Sequence, residues 1–245
     1  MNKILLDETC DAVIHNSKAF DGIGTLQEKT IHQVLKHYFS PDPAYHEIKV
    51  GSYIADIMLA DGHIIEIQSK GFHLLRGKLE AYLKEHKVTV VYPICHRKTL
   101  YWVDPDTGAV TSPRKSPKTG SPELVFPELY RIKQFLTHPN LEICLVLMDI
   151  DEYKLLNGYG KDRKKGASRN DGFPTALYDE IYLSSPADYR RFIPESLSEQ
   201  FTSVEYGKAV KGTKNLASLI LNILTHIEVV KRTGKRGNAY LYERK

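Results

Sequence analysis

The chain has 245 residues, 42% of them hydrophobic and 26% charged, with a net charge of +4. That is the profile of an ordinary globular protein with room for one large core or two smaller ones, and it excludes a disordered or low-complexity chain. No apolar run approaches the roughly 18–20 residues of a bilayer span, and Asp7 and Glu8 come too early for a secretory leader, so the expectation is a cytoplasmic protein with no membrane partner.

Residues 25–39, TLQEKTIHQVLKHYF, place Leu26, Ile31, Val34, Leu35 and Tyr38 at helical spacing, with Thr25 as N-cap and SPDP as the stop. Three strands are predicted next, over 45–50, 52–59 and 63–69, punctuated by Gly51 and by Asp61-Gly62. A helix over 74–86 and a short, fully buried strand over 88–94 follow. The order to that point is αβββαβ. Residues 98–122 predict a hairpin around Asp106-Thr107-Gly108 and a Pro/Ser/Lys loop. A helix over roughly 123–136 and a strand over 141–150 complete a first domain, 1–156. Residues 157–175, glycine-rich and basic, predict a flexible linker. The last unit, 176–245, has helical patterns at 185–193, 203–210 and 213–227, then two strands joined by TGKRGN. The predicted fold class is α/β with a mixed sheet.

Cys10, Cys95 and Cys144 lie far apart without C-x-x-C spacing, which argues against a zinc site or a disulfide framework. The chemistry concentrates in ADGHIIEIQSKGF, residues 60–72. Side chains alternate along a strand, so Glu66, Gln68 and Lys70 share one face. If the hairpin loop is the three residues Ala60-Asp61-Gly62, with Gly62 in a left-handed bulge, Asp56 lies opposite Glu66; a two-residue loop would put Ile57 there. Two converging carboxylates suit Mg²⁺, which takes hard oxygen ligands and keeps several waters. A second acidic group, Asp149, Asp151 and Glu152, stands at the predicted end of the 141–150 strand, where carboxylates either bind metal or mark the exit into solvent.

Asp56, then nine residues, then Glu66-Ile67-Gln68, set between two helices in an αβββαβ order, resembles the PD-(D/E)xK nuclease superfamily with its restriction-endonuclease-like core. The resemblance covers residues 25–94. It implies Mg²⁺ (or Mn²⁺) held by Asp56 and Glu66, with Gln68 where the usual lysine stands, as in Glu-x-Gln variants. Lys70 or Lys49 would then supply the missing cation. Glu28 on the first helix would join the metal site, although Thr25-Leu-Gln-Glu28 is equally a capping box. Glu47 on the first strand is a further candidate. Many nucleases of this kind act as dimers, so a homodimer accompanies the resemblance.

Residues 200–245 hold nine Lys/Arg and three Glu, a net of +6, which leaves 25 basic and 27 acidic residues, a net of −2, in 1–199. Such asymmetry suggests a polyanion-binding end. From about 185 onward the sequence resembles a winged helix-turn-helix, a fold whose second helix enters the major groove. The resemblance implies DNA contacts from Thr213, Lys214, Asn215 and Ser218 at the start of that helix, and from Lys235 and Arg236 at the tip of the wing. Together the two resemblances imply a metal-dependent DNA endonuclease. The alternative is a non-catalytic DNA-binding regulator or complex subunit on a degenerate nuclease scaffold. Nothing in the sequence separates DNA from RNA as the nucleic acid.

Overall fold

A computed structural model describes residues 8–10, 29–158, 168–210 and 213–245. The amphipathic run at 29–39 forms helix α1 (Lys29–Phe39); residues 25–28 of the predicted helix, Thr25 and Glu28 among them, lie outside the described residues. Strands β1 (His46–Val50), β2 (Tyr53–Met58) and β3 (Ile64–Ile67) follow as an antiparallel meander. A 3₁₀ turn, Phe72–Leu75, leads into helix α2 (Arg76–Tyr82), shorter than the predicted 74–86. Strand β4 (Val88–Val103) then lies parallel to β3.

β4 runs well past residue 94 because its outer half pairs on both sides. The short β5 (Arg114–Lys115) returns along it as the predicted hairpin, and β6 (Leu141–Leu155) lies parallel to it. The predicted 123–136 helix is one turn of α-helix, α3 (Phe126–Leu129), between 3₁₀ segments Pro122–Val125 and Tyr130–Phe135, with a break at Ile132. Strand β7 (Ser168–Leu183) closes a seven-stranded mixed sheet of order β1-β2-β3-β4-β6-β7, with β5 on β4.

The expected 157–175 linker therefore needs correcting. Residues 168–175 are strand, paired to β6 with Gly172 opposite Glu152 and Pro174 opposite Ile150. Glycine and proline suggest a linker, but β7 is the edge strand, where a proline without an N–H is tolerated and register shifts absorb the irregular residues. Residues 159–167 lie outside the described residues.

Both faces of the sheet are covered, so β3 and β4 read as continuous apolar runs. Ile65, Ile67, Val91, Cys144 and Val146 pack with Val34 and Leu35 of α1. Ile64, Val90 and Ile143 pack on the other face with Phe72, Leu75 and Leu79.

That second core continues without a break into the C-terminal unit. Helix α4 (Ser203–Ala209) and helix α5 (Lys214–His226) sit on a three-stranded antiparallel sheet, order β8-β10-β9, made of β8 (Gln200–Thr202), β9 (Val230–Arg236) and β10 (Ala239–Arg244). Ile220, Leu221 and Leu224 of α5 share the core of Phe126, Leu129 and Ile132. Phe192 meets Phe126 edge-on at 4.8 Å, and its carbonyl accepts the buried Tyr206 hydroxyl at 2.8 Å. No helix among the described residues is long and apolar enough to cross a membrane.

Candidate functional site

The loop between β2 and β3 is the three-residue Ala60-Asp61-Gly62. Leu59 donates to the His63 carbonyl at 2.9 Å, Gly62 donates back to Leu59, and Gly62 takes a φ of +82°. Pairs Met58↔Ile64 and Ile57↔Ile65 follow, and the next step of that register sets Asp56 opposite Glu66. The β2–β3 ladder ends there, while β3 stays on β4 through Gln68, whose N–H donates to the Val91 carbonyl at 2.9 Å. A regular ladder would spend the Ile67 N–H on β2's main chain. Instead it donates to Oδ2 of Asp56 at 2.8 Å, and the main chain of Asp56 hydrogen-bonds the Glu66 carboxylate. The two carboxylates are thus each held by the other residue's strand, at the point where the strands part.

The charges around them are unequal. Asp56 accepts from Nε2 of His32 on α1 at 3.2 Å. Its burial favours the neutral form, but the His32 and Ile67 hydrogen bonds, with the charges of His32 and Lys78, outweigh it and hold the carboxyl below its ordinary value. Glu66 is only 2% exposed. Burial, then the negative Asp56 beside it, pushes its carboxyl up to about 7, although Lys78 pulls the other way. Lys78, on α2, places Nζ 3.0 Å from Oε1 and 2.7 Å from Oε2 of Glu66. A buried carboxylate facing a like charge is stable only with compensating positive charge, and with a single lysine beside it Glu66 changes charge near pH 7.

The pair lies in an open groove of about 1100 Å³. Gln68 and Lys70 line it, with Lys36, Lys98 and Arg131 further along its walls. Gln68 turns its amide nitrogen to the Lys70 carbonyl at 2.5 Å. Lys49 is exposed, pairs with Ile54 across β1–β2 and does not line the groove, so the cation at Glu66 is Lys78 and not Lys49. Glu47 stands at the groove with a φ of +56°, rare for a residue other than glycine, and its carboxylate pairs with Lys36 at 2.8 Å. Among the described residues, no group of three or more His, Cys, Asp or Glu is arranged to hold a metal ion; the site brings together two carboxylates, Asp56 and Glu66.

Lys78 and His32 are the site residues that sequence reasoning missed. Lys78 stands three residues after the buried Leu75 and four before the buried Tyr82, so a lysine in an inward helical stripe was the available signal.

The second acidic group proves to be mid-strand, because β6 continues to Leu155. Asp149 binds Nδ1 of His96 at 2.9 Å and the Arg97 N–H at 3.1 Å, and buried Glu152 pairs with Lys98 at 2.6 Å. Glu152 and Lys98 line the groove, Glu152 also reaches Lys154 at 3.7 Å, and Asp149 and His96 lie outside the groove lining.

In the C-terminal unit, Thr213 caps α5 by accepting from the Leu216 N–H at 3.3 Å, and Thr213, Asn215 and Ser218 are exposed at its start. The Lys214 side chain lies outside the described residues. The wing differs from its expected form. The turn is the two residues Gly237-Asn238, with Gly237 at φ +61°, so Lys235 and Arg236 are the last strand residues of β9 and not the tip of a six-residue loop. Lys235 and Arg232 lie over the Tyr240 ring at 5.2 and 4.2 Å, and Arg236 reaches Glu205 at 3.4 Å.

No solved structure matches the chain. It is similar to an uncharacterized protein of Treponema pallidum (strain Nichols), 34% identical over 143 residues, which are 58% of this chain and 57% of that relative. The chain thus spans little more than half the length of the relative it matches. One family model matches residues 29–184, from the start of α1 to the end of β7. Since that match takes in the whole seven-stranded sheet and more than half of the chain, the protein belongs to the family described as Domain of unknown function (DUF8091).

Proposed function

We propose that this protein is a metal-dependent endonuclease that hydrolyses DNA phosphodiester bonds on a PD-(D/E)xK-like core, with a winged-helix-like C-terminal unit that grips duplex DNA. The observation that carries this reading is the reciprocal clasp of Asp56 and Glu66 at parting strands, with the Lys78 ammonium on Glu66, in an open groove. The element order supports it: an antiparallel β1–β3 meander, a helix, and β4 parallel to β3. So does the C-terminal sheet order β8-β10-β9 with two helices, which is how a winged helix arranges its first strand against the wing.

The donor set fits a hard divalent cation. Asp56 and Glu66 offer two carboxylates, and burial with the neighbouring Asp56 charge raises the Glu66 carboxyl to about 7, where a cation would favour its ionised form. When bound, Mg²⁺ or Mn²⁺ would polarise a phosphoryl oxygen and lower the pKa of a coordinated water. Asp56 and Glu66 would hold it. His32 and the Ile67 N–H fix the orientation of Asp56. Lys78 brings the fixed positive charge that a phosphate needs, where the sequence pattern has Gln68. The Gln68 amide nitrogen is engaged by Lys70, so any role in holding water falls to its carbonyl oxygen. Lys70, on the groove wall, belongs to the same proposal as further charge at the site; Glu28, the other metal ligand that the resemblance implies, lies outside the described residues.

The test is incubation with supercoiled plasmid DNA, and in parallel with RNA, in Mg²⁺ or Mn²⁺ against EDTA. The proposal expects cation-dependent DNA cleavage. The rival, a DNA-binding scaffold without catalysis, is favoured by one observation: Lys78 already satisfies both Glu66 oxygens. Calorimetry that finds duplex DNA bound but no Mg²⁺ or Mn²⁺ site would select it.

A further inference from the structure

We infer that the segment Tyr130–Lys133 is a second duplex-binding element, a cationic bridge that carries one continuous DNA from helix α5 to the groove. The inference rests on the nucleic-acid reading above. The continuity is made of direct contacts. Arg131 lines the groove with its guanidinium half-exposed and its Nε 3.5 Å from the Glu128 carboxylate, a pair that a phosphate would compete for, and its carbonyl accepts Nε of Arg76 at 2.7 Å. Two residues on, Lys133 donates to Oδ1 of Asn222 on α5 at 3.1 Å and lies 5.3 Å from the centroid of the Tyr130 ring. Tyr130 is 48% exposed.

Asn222 belongs to the stripe of α5 that faces out. Asn215, Ser218 and Asn222 are exposed at helical spacing, while Ile220, Leu221 and Leu224 are buried in the shared core. The face that a major-groove helix presents to bases therefore abuts Lys133, and Lys133 stands two residues from a groove-lining arginine. The occupant is a duplex by charge and continuity. Cations and an aromatic ring at the surface, joined to an exposed polar helix face, suit a phosphate backbone that runs on from α5. Because α5 shares its core with Phe126, Leu129 and Ile132, the bridge holds the two sites at a fixed separation along that duplex.

The test is fluorescence anisotropy of the full chain with a labelled duplex of about 30 base pairs, in EDTA, across a sodium chloride series. The substitutions Arg131→Gln and Lys133→Gln together should weaken binding at least about tenfold and reduce the slope of log K against log salt by about 2, since each lost phosphate contact removes about 0.9. Arg131→Lys with Lys133→Arg keeps both charges and should keep the slope; thermal melts of both variants report folding. Wild-type binding that is unchanged in the Gln variant overturns the bridge alone, and is what a surface for an acidic protein partner would give. A wild-type chain that binds no duplex overturns the bridge and the proposed function together.

Discussion

At the scale of single residues, Asp56 and Glu66 carry opposite signs of pH dependence. Asp56 is depressed, so its stabilising contribution is present above its ordinary value and is lost as pH falls through the folded value. Glu66, at about 7 against an ordinary 4.5, is raised. The folded state holds that proton more tightly than the unfolded chain, so its contribution to stability falls as pH rises from about 4.5 to about 7, by about 3 kcal/mol at roughly 1.4 kcal/mol per pKa unit. Glu66→Gln mimics the protonated side chain. Urea titrations should find it equal to wild type at pH 4.5 and more stable by about 2–3 kcal/mol at pH 8; an equal or lower stability at pH 8 would contradict the assignment. Cation binding must displace the same proton, so Mg²⁺ or Mn²⁺ affinity should climb with pH to a midpoint near 7. Lys78→Met removes the charge that pulls Glu66 down, and calorimetry across pH should place its midpoint higher than wild type's. The two carboxylates were legible in the sequence because a strand's alternation and one hairpin set their positions. Lys78 was not, because α2 brings it to Glu66 through tertiary packing that strand alternation does not reveal.

At the scale of elements, the site depends on how many residues the β2–β3 loop contains. A three-residue loop puts Asp56 against Glu66, and a one-residue slip would turn one of them to the other face. Gly62 permits that loop through its φ of +82°. Gly62→Ala should cost about 1–2 kcal/mol in a denaturant titration, the penalty of a left-handed Cβ. The hairpin was readable as one of two alternatives from Asp61-Gly62 alone. The edge strand β7 was not readable: its glycine and proline obey linker statistics, and only pairing to β6 makes 168–175 a strand. The 3₁₀ segments around α3 were read as one helix because 3.0 and 3.6 residues per turn leave similar apolar spacing over two turns.

At the scale of the whole molecule, the sequence divides by composition, with the basic excess after residue 200, but the core does not divide with it. Phe192, 3% exposed, joins Phe126 of the sheet unit to Tyr206 of the C-terminal unit. Phe192→Ala should cost about 3–5 kcal/mol, and calorimetry should find one unfolding transition at a lowered temperature; two separate transitions in the wild type would contradict a shared core. A continuous core was not legible because each unit taken alone has enough apolar residues to suggest a domain. The central claim is that Asp56 and Glu66 form a hydrolytic metal centre. The most direct measurement is the rate of plasmid cleavage in Mn²⁺ by wild type, Asp56→Ala and Glu66→Ala, purified side by side and shown to be folded. The account predicts cation-dependent cleavage by wild type and a loss of at least about a hundredfold in each variant, more than 2.7 kcal/mol of transition-state stabilisation; cleavage that persists at the wild-type rate in both variants would contradict it.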